Sequence, residues 1–159
     1  MPDNTDHDLL KIAKDAALAA GEAIMRLYDV GDFESYQKAD ESPVTSADYK
    51  ANEIITEHLT RMSPDIPILS EETKHASLEE RKTWKRYWLI DPIDGTQEFI
   101  ARSGDFAVNI ALIEDNKPKI GVIFWPPGQS LYYALAGHGA FKDSPETSGP
   151  ISVRKLDDP

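Results

Sequence analysis

Apolar residues at helical spacing open the chain. Over residues 6–28 they recur on one face of a helix, and Gly31 then supplies a stop signal. A second periodic segment runs over residues 47–62, and Thr45 and Asp48 have the spacing of a capping box at its start. The first part of the chain therefore predicts two amphipathic helices separated by a polar loop.

Short apolar segments follow, bounded by proline, glycine or acidic residues, and these predict β-strands. They are residues 66–69, 87–90, 106–113, 119–124 and 131–135. The segment 106–113 is almost continuously apolar, which is typical of a central strand covered on both faces. Turn signals at 116–118 and 126–128 predict an antiparallel meander. The expected fold class is α+β, with two N-terminal helices packed on a largely antiparallel sheet.

Composition and charge restrict the classes of function that this chain can have. The 159 residues are 40% hydrophobic, which indicates one globular domain, and a net charge of −11 disfavours binding to a nucleic acid polymer. The chain has no apolar run of the roughly 18 residues that a membrane span needs, and it has no cysteine. With no secretion signal at its start, we expect a cytoplasmic protein, and peripheral association with the inner membrane stays open. If the ligand is phosphorylated, cations should carry the attraction.

The segment 88–99 (WLIDPIDGTQEF) carries candidate chemistry, because an apolar strand runs directly into two carboxylates. Asp91 follows the strand, and Pro92 fixes its own φ, so we expect a turn that brings Asp94 back beside Asp91. Two carboxylates this close favour a hard cation between them. Gly95 lets the backbone approach an anion, and a helix that opens at Thr96 would offer its free N–H groups to a phosphate.

A second strand ends in acidic residues upstream, in the segment 68–72 (ILSEE). If the two strands are parallel neighbours, Glu71 and Asp91 lie at one edge of the sheet, where ligands bind in α/β sheets. Each feature alone has a simpler explanation, since a Glu-Glu pair is usually solvated and aspartates often cap turns. Both acidic ends together with the Gly-Thr pair favour a metal and phosphate site.

Four segments in this order resemble the inositol monophosphatase superfamily of magnesium-dependent, lithium-sensitive phosphomonoesterases. They are residues 38–48 (KADESPVTSAD), 68–72, 88–100 and 106–113 (FAVNIALI). Within the superfamily, residues 42–48 and 95–99 are most similar to the 3'(2'),5'-bisphosphate nucleotidases of the CysQ type. The resemblance covers almost the whole chain, but only the first and larger part of the family's module.

The resemblance implies direct metal-assisted hydrolysis without a phosphoenzyme, using two or three Mg²⁺ ions. Asp48 and Thr96 would be catalytic and would orient or deprotonate the attacking water, while the N–H groups of Gly95 and Thr96 would hold the substrate phosphate. Lys38 and Glu72 stay outside this set, the first as a residue that steers the phosphate or the loop, the second as a hydrogen-bond acceptor. The implied metal ligands are Glu71, Asp91, Asp94 and the backbone carbonyl of Ile93.

The leading functional hypothesis is a phosphatase that converts 3'-phosphoadenosine 5'-phosphate to AMP and phosphate in sulfur assimilation. The alternatives are an inositol or sugar-phosphate phosphatase of the same superfamily, and an inactive truncated product. We expect an α+β domain over residues 1–143 and a linker over 144–159 toward an absent C-terminal α/β domain. In the family that domain carries a Trp-Asp motif which completes the metal site. Without it, one sheet face would stay uncovered and favour self-association.

Overall fold

Two long helices pack on one face of a seven-stranded sheet in the computed structural model, which describes residues 4–155. The predicted α+β class is confirmed. The helices are α1 (Asp6–Val30), α2 (Ser46–Met62), α3 (Leu78–Arg81) and α4 (Thr96–Ala101). The strands are β1 (Ser35–Gln37), β2 (Pro43–Thr45), β3 (Ile68–Ser70), β4 (Arg86–Asp94), β5 (Ala107–Glu114), β6 (Lys117–Trp125), β7 (Ser130–Leu135), β8 (Gly139–Asp143) and β9 (Ser148–Ile151).

The helix α1 ends, and the helix α2 begins, where the sequence signals predict. The helix α1 ends at Gly31, whose φ of 71° is left-handed, and its N–H bonds back to the last turn. The helix α2 begins with the predicted capping box between Thr45 and Asp48. None of the helices within residues 4–155 is long and apolar enough to cross a membrane.

The sheet is a meander with one parallel edge. Its strands follow chain order from β3 to β9, and every neighbouring pair is antiparallel except β3 and β4. The strands β1 and β2 form a separate hairpin. The last strand, β9, lies inside the segment 144–159, which we expected to be a linker. A turn between Ser144 and Thr147 returns the chain to β8, and this pairing forms the strand. Residues 1–3 and 156–159 lie outside the described part of the chain.

The sheet buries one face and exposes the other. Along β5, Val108, Ile110 and Leu112 are buried in the core shared with α1 and α2, while the intervening residues are only half-buried. The expectation that residues 106–113 are covered on both faces is therefore wrong, since helices cover a single face within the described residues. On the open face, Leu89 is 41% and Ile123 49% exposed. Self-association through this face stays a prediction.

Close packing of α1 on the sheet generates a stability prediction. A Cβ atom at Gly21 would lie 2.2 Å from the Phe124 ring, far inside van der Waals contact. We expect Gly21→Ala to lower the free energy of unfolding by up to about 2 kcal/mol, because overpacking costs about 1–3 kcal/mol and helix propensity returns only about 1. Urea denaturation measures the difference.

The matched control is Gly121→Ala, because a Cβ atom at Gly121 on the open face would meet nothing within 4 Å. We expect it to stay within about 0.5 kcal/mol of the wild type. A Gly21→Ala protein more stable than the wild type would contradict the packing described here.

Candidate active site

Parallel pairing of β3 with β4 brings two acidic strand ends together. Ser70 pairs with Ile90 in the register, so the residues that follow them, Glu71 and Asp91, lie side by side. The N–H of Glu71 also donates to the Ile90 carbonyl at 3.4 Å, which continues the ladder by one residue. The predicted parallel arrangement of these two strands is confirmed.

A bulge in β4, rather than a turn, places the next carboxylate. The strand continues through Pro92 to Asp94, so the expected turn at Pro92 is wrong. Asp91 pairs with Asn109 and Asp94 pairs with Ala107. Three residues along β4 therefore correspond to two residues along β5. The extra residue restores the alternation and puts Asp91 and Asp94 on the same face of the sheet. Pro92 fits because a bulge leaves a residue without a ladder hydrogen bond.

We call the carboxylates of Glu71, Asp91 and Asp94 the acidic edge of the sheet, and Asp91 is its central residue. Burial, followed in order by the negative charges of Glu71, Asp94, Glu72 and Asp48, raises the pKa of Asp91 from its ordinary 3.8 to about 7. Its Oδ1 is buried and finds no hydrogen-bond partner within residues 4–155. A carboxylate in this position needs a positive partner or a proton.

Asp48 joins helix α2 to the residue that opens α4. Its Oδ2 accepts from the N–H and the hydroxyl of Thr45 at 2.8 and 2.6 Å, while its Oδ1 accepts from Thr96 Oγ1 at 2.9 Å. The same capping box occurs at the exposed start of α1, where Thr5 and Asp8 have no such third partner within residues 4–155. The cap therefore explains only one oxygen of Asp48, and the contact with Thr96 is additional to it.

Gly95 and the short helix α4 follow directly. Gly95 adopts a φ of 95°, and a Cβ atom there would lie 2.7 Å from the Asp105 carbonyl, so no other residue fits without strain. Buried Phe99 anchors α4, and the rings of Tyr28, Phe33 and Phe106 lie 4.7–5.2 Å from it. Thr96 Oγ1 also lies 3.4 Å from the Ile93 carbonyl. The start of α4 is thus held between Asp48 and an aromatic cluster.

Lys38 and Glu72 form an ion pair at the border of the acidic edge. The Lys38 Nζ lies 2.9 Å from Glu72 Oε1, and only 4% of the Glu72 side chain is exposed. Burial raises the pKa of Glu72, although the hydrogen bond from Lys38 opposes the shift. The pair joins the turn after β1 to the segment that follows β3, so Lys38 contacts the edge through Glu72.

Asn109, for which the sequence predicted no role, also contacts this edge. Asn109 Nδ2 donates to Asp94 Oδ2 at 3.0 Å, and its Oδ1 is buried with no partner in the described part of the chain. The signal available in the sequence was a polar residue inside the apolar run FAVNIALI.

A divalent cation fits the chemistry of this edge. Within residues 4–155 no three His, Asp or Glu side chains are grouped closely enough to hold a metal ion as they stand. The Oδ1 of Asp91 nevertheless has no hydrogen-bond partner within residues 4–155, and the neighbouring carboxylates repel one another. A bound cation would compensate both effects. Carboxylate and carbonyl oxygens are the ligands that Mg²⁺ prefers.

The fold is that of an α+β protein with a helix pair on a mainly antiparallel sheet and an acidic parallel edge. The sequence profile of the inositol monophosphatase family matches residues 5–157, and the chain belongs to this family. The predicted resemblance to the superfamily is therefore confirmed.

Three comparisons give the degree of similarity. The chain is 50% identical over 136 residues to the 3'(2'),5'-bisphosphate nucleotidase CysQ of Salmonella typhimurium, covering 85% of this chain and 54% of that protein. It is 47% identical over 142 residues to the protein of the same name from Aggregatibacter actinomycetemcomitans, covering 89% and 52%. The crystal structure of CysQ from Bacteroides thetaiotaomicron matches with a TM-score of 0.79 at 38% identity, covering 94% and 59%. The chain spans about half the length of the curated relatives it matches.

The position of Asp91 predicts a pH dependence of stability in the metal-free protein. Because the folded pKa of about 7 lies above the ordinary 3.8, the stability that Asp91 contributes is full below about pH 4 and is lost as the pH rises through 7. We expect Asp91→Asn, which cannot ionise, to gain stability relative to the wild type between about pH 5 and pH 8. Thermal unfolding in EDTA across this range measures the gain.

Asp65→Asn is the control for net charge, because Asp65 is exposed and removing it changes the charge equally. If both variants follow the same pH profile, the repulsion assigned to the acidic edge does not exist.

Proposed function

We propose that this chain is the metal- and phosphate-binding part of a magnesium-dependent phosphomonoesterase. The observation that carries the proposal is the hydrogen bond from Thr96 Oγ1 to Asp48 Oδ1, made beside the acidic edge that contains Asp91. A polarised hydroxyl next to a carboxylate cluster is the combination that hydrolysis of a phosphate ester requires.

The residues proposed to hold the cations share oxygen donors at one sheet edge. When bound, the cations would polarise the phosphate and activate water. Glu71 follows the end of β3 and lies beside Asp91 within β4, and the β4 bulge turns Asp94 to the same face. Glu72 is paired with Lys38, which leaves it outside the ligand set. The proposed ligands are Glu71, Asp91, Asp94 and the carbonyl oxygen of Ile93.

Thr96 orients the water that attacks phosphorus. A hydroxyl has one proton and two lone pairs, and the proton of Thr96 is committed to Asp48 Oδ1 at 2.9 Å. The lone pairs of Oγ1 are then available to accept a hydrogen bond from a water molecule, and the proton that Oγ1 takes from this water is balanced by transfer of its own proton to Asp48 Oδ1. Asp48 maintains this direction of the hydrogen bond, because Thr45 donates to its second oxygen and thereby fixes the orientation of the carboxylate.

The backbone at the start of α4 holds the phosphate. Gly95 is the N-cap of α4, and it carries no side chain that would bond to the first N–H groups of the helix. The N–H groups of Gly95 and Thr96 are therefore the proposed donors to the phosphate oxygens. The left-handed φ of Gly95 gives the turn its shape.

The proposed substrate is 3'-phosphoadenosine 5'-phosphate, which water converts to AMP and inorganic phosphate. Support comes from two relatives that carry the name 3'(2'),5'-bisphosphate nucleotidase at 47–50% identity. Inositol monophosphate is the competing substrate to test, because it presents the same phosphomonoester. The two differ only in the group that must be recognised beside the phosphate.

The length of the chain leads to a prediction about activity. The family's Trp-Asp motif is not found in these 159 residues, so the proposed cation site is one carboxylate short. We expect the 159-residue protein to release little or no phosphate from 3'-phosphoadenosine 5'-phosphate with abundant Mg²⁺. We expect a fusion of residues 1–143 to the second half of the Salmonella relative to be active.

Phosphate release from both proteins, with inositol monophosphate assayed alongside, checks this prediction. Robust turnover by the short chain would refute the ligand count. Preference of the fusion for inositol monophosphate would overturn the nucleotide substrate while keeping the reaction type.

The role of Thr96 is tested in the active fusion. We expect Thr96→Ala to lower kcat by about 10²–10⁴-fold, the size of a general acid–base contribution, and to change Mg²⁺ affinity little. Thr96→Ser keeps the hydroxyl and should retain most of the activity. Wild-type turnover of Thr96→Ala in steady-state kinetics would remove Thr96 from the mechanism.

A further inference from the structure

Asn109 is a polar residue on an otherwise apolar strand, and it lies directly against the acidic edge. Its register partners are Asp91 on β4 and Ile123 on β6, so its side chain lies on the open face of the sheet, in one cross-strand row with Asp91. From there its Nδ2 donates to Asp94 Oδ2 at 3.0 Å. Asn109 thus joins the strand β5 to the carboxylates of β4.

The chemistry of the pair determines which way the amide faces. A carboxylate oxygen only accepts, so the group that Asn109 turns toward Asp94 is the NH₂ and not the carbonyl. The carbonyl Oδ1 is then buried, and residues 4–155 give it no hydrogen-bond partner. A buried acceptor without a partner opposes folding. The stability of the fold therefore does not explain why an amide occupies this position.

We propose that Asn109 is a positioning residue for Asp94, which fixes one carboxylate oxygen so that the other faces the cation. This role rests on the proposed function, because it requires a cation at Asp94. Asp94 is exposed and follows a bulge, so without a partner its side chain would sample several rotamers. A hydrogen bond at Oδ2 selects one of them and leaves Oδ1 for the metal.

Metal affinity and metal-free stability separate this role from a structural one. The test variant is Asn109→Leu, which is close in shape but cannot donate to Asp94. We expect its Mg²⁺ affinity in calorimetry to fall by about 10–100-fold, the usual effect of losing an outer-sphere partner. We expect its Tm in EDTA to equal or exceed that of the wild type.

Two further variants of the 159-residue protein complete the design. Ile123→Ala is the matched control, because Ile123 lies opposite Asn109 on the same face but makes no polar contact with Asp94, and it should keep the wild-type affinity. Asp94→Asn is the reference for loss of the cation site itself. If Asp94→Asn weakens Mg²⁺ binding and Asn109→Leu does not, the site stands and the role of Asn109 is overturned.

Other outcomes are equally decisive. A lower Tm in EDTA with unchanged Mg²⁺ affinity would make Asn109 structural and overturn the proposal. A wild-type protein without any Mg²⁺ response would overturn the proposed metal site and the role of Asn109 together. If Asn109→Leu does not fold, the side-chain amide signals of the wild-type protein decide by NMR. Those of Asn109 should shift with Mg²⁺ while those of Asn116, in the turn after β5, should not, and an unchanged Asn109 signal would overturn the role.

Discussion

Repulsion between carboxylates at one edge of the sheet is the interaction on which the rest of the site depends. The fold forces Asp91 into a half-buried position between Glu71 and Asp94, where burial and negative neighbours raise its pKa to about 7. Such an arrangement opposes folding unless a proton or a cation compensates it. This arrangement is the basis for the cation site that we propose at this edge.

Three features of the fold hold the charged side chains of the site close together. Parallel pairing aligns the ends of β3 and β4, the bulge at Pro92 and Ile93 turns Asp94 to the face of Asp91, and the buried capping box holds Asp48 beside Thr96. Each depends on packing against α1 and α2, because their buried faces set the position of the sheet. Helices and strands therefore carry most of the site residues, while Glu71 and Gly95 lie directly beside the ends of β3 and α4.

Apolar periodicity and capping signals were sufficient to predict the two long helices and the five strands from β3 to β7. The shared acidic edge was predicted only on the condition that β3 and β4 are parallel neighbours, which the register meets. The bulge in β4 was not predictable, because Pro92 locally favours a turn and only the burial of Pro92 and Ile93 keeps the strand extended. The strand β9 was not predicted, because its residues, Ser148–Ile151, include Gly and Pro and lack apolar alternation. Asn109 is a polar residue within an apolar segment, but no role was predicted for it, because its contact with Asp94 depends on strand register, which the sequence does not specify.

Crystals of the protein grown or soaked with Mn²⁺ offer the most direct test, because anomalous scattering locates the ion without reference to activity. We expect an anomalous peak bounded by the carboxylates of Glu71, Asp91 and Asp94, with the Ile93 carbonyl at its border. Ordered carboxylates at this edge with no peak between them, or a peak bound only elsewhere on the molecule, would contradict the assignment of this edge as a cation site.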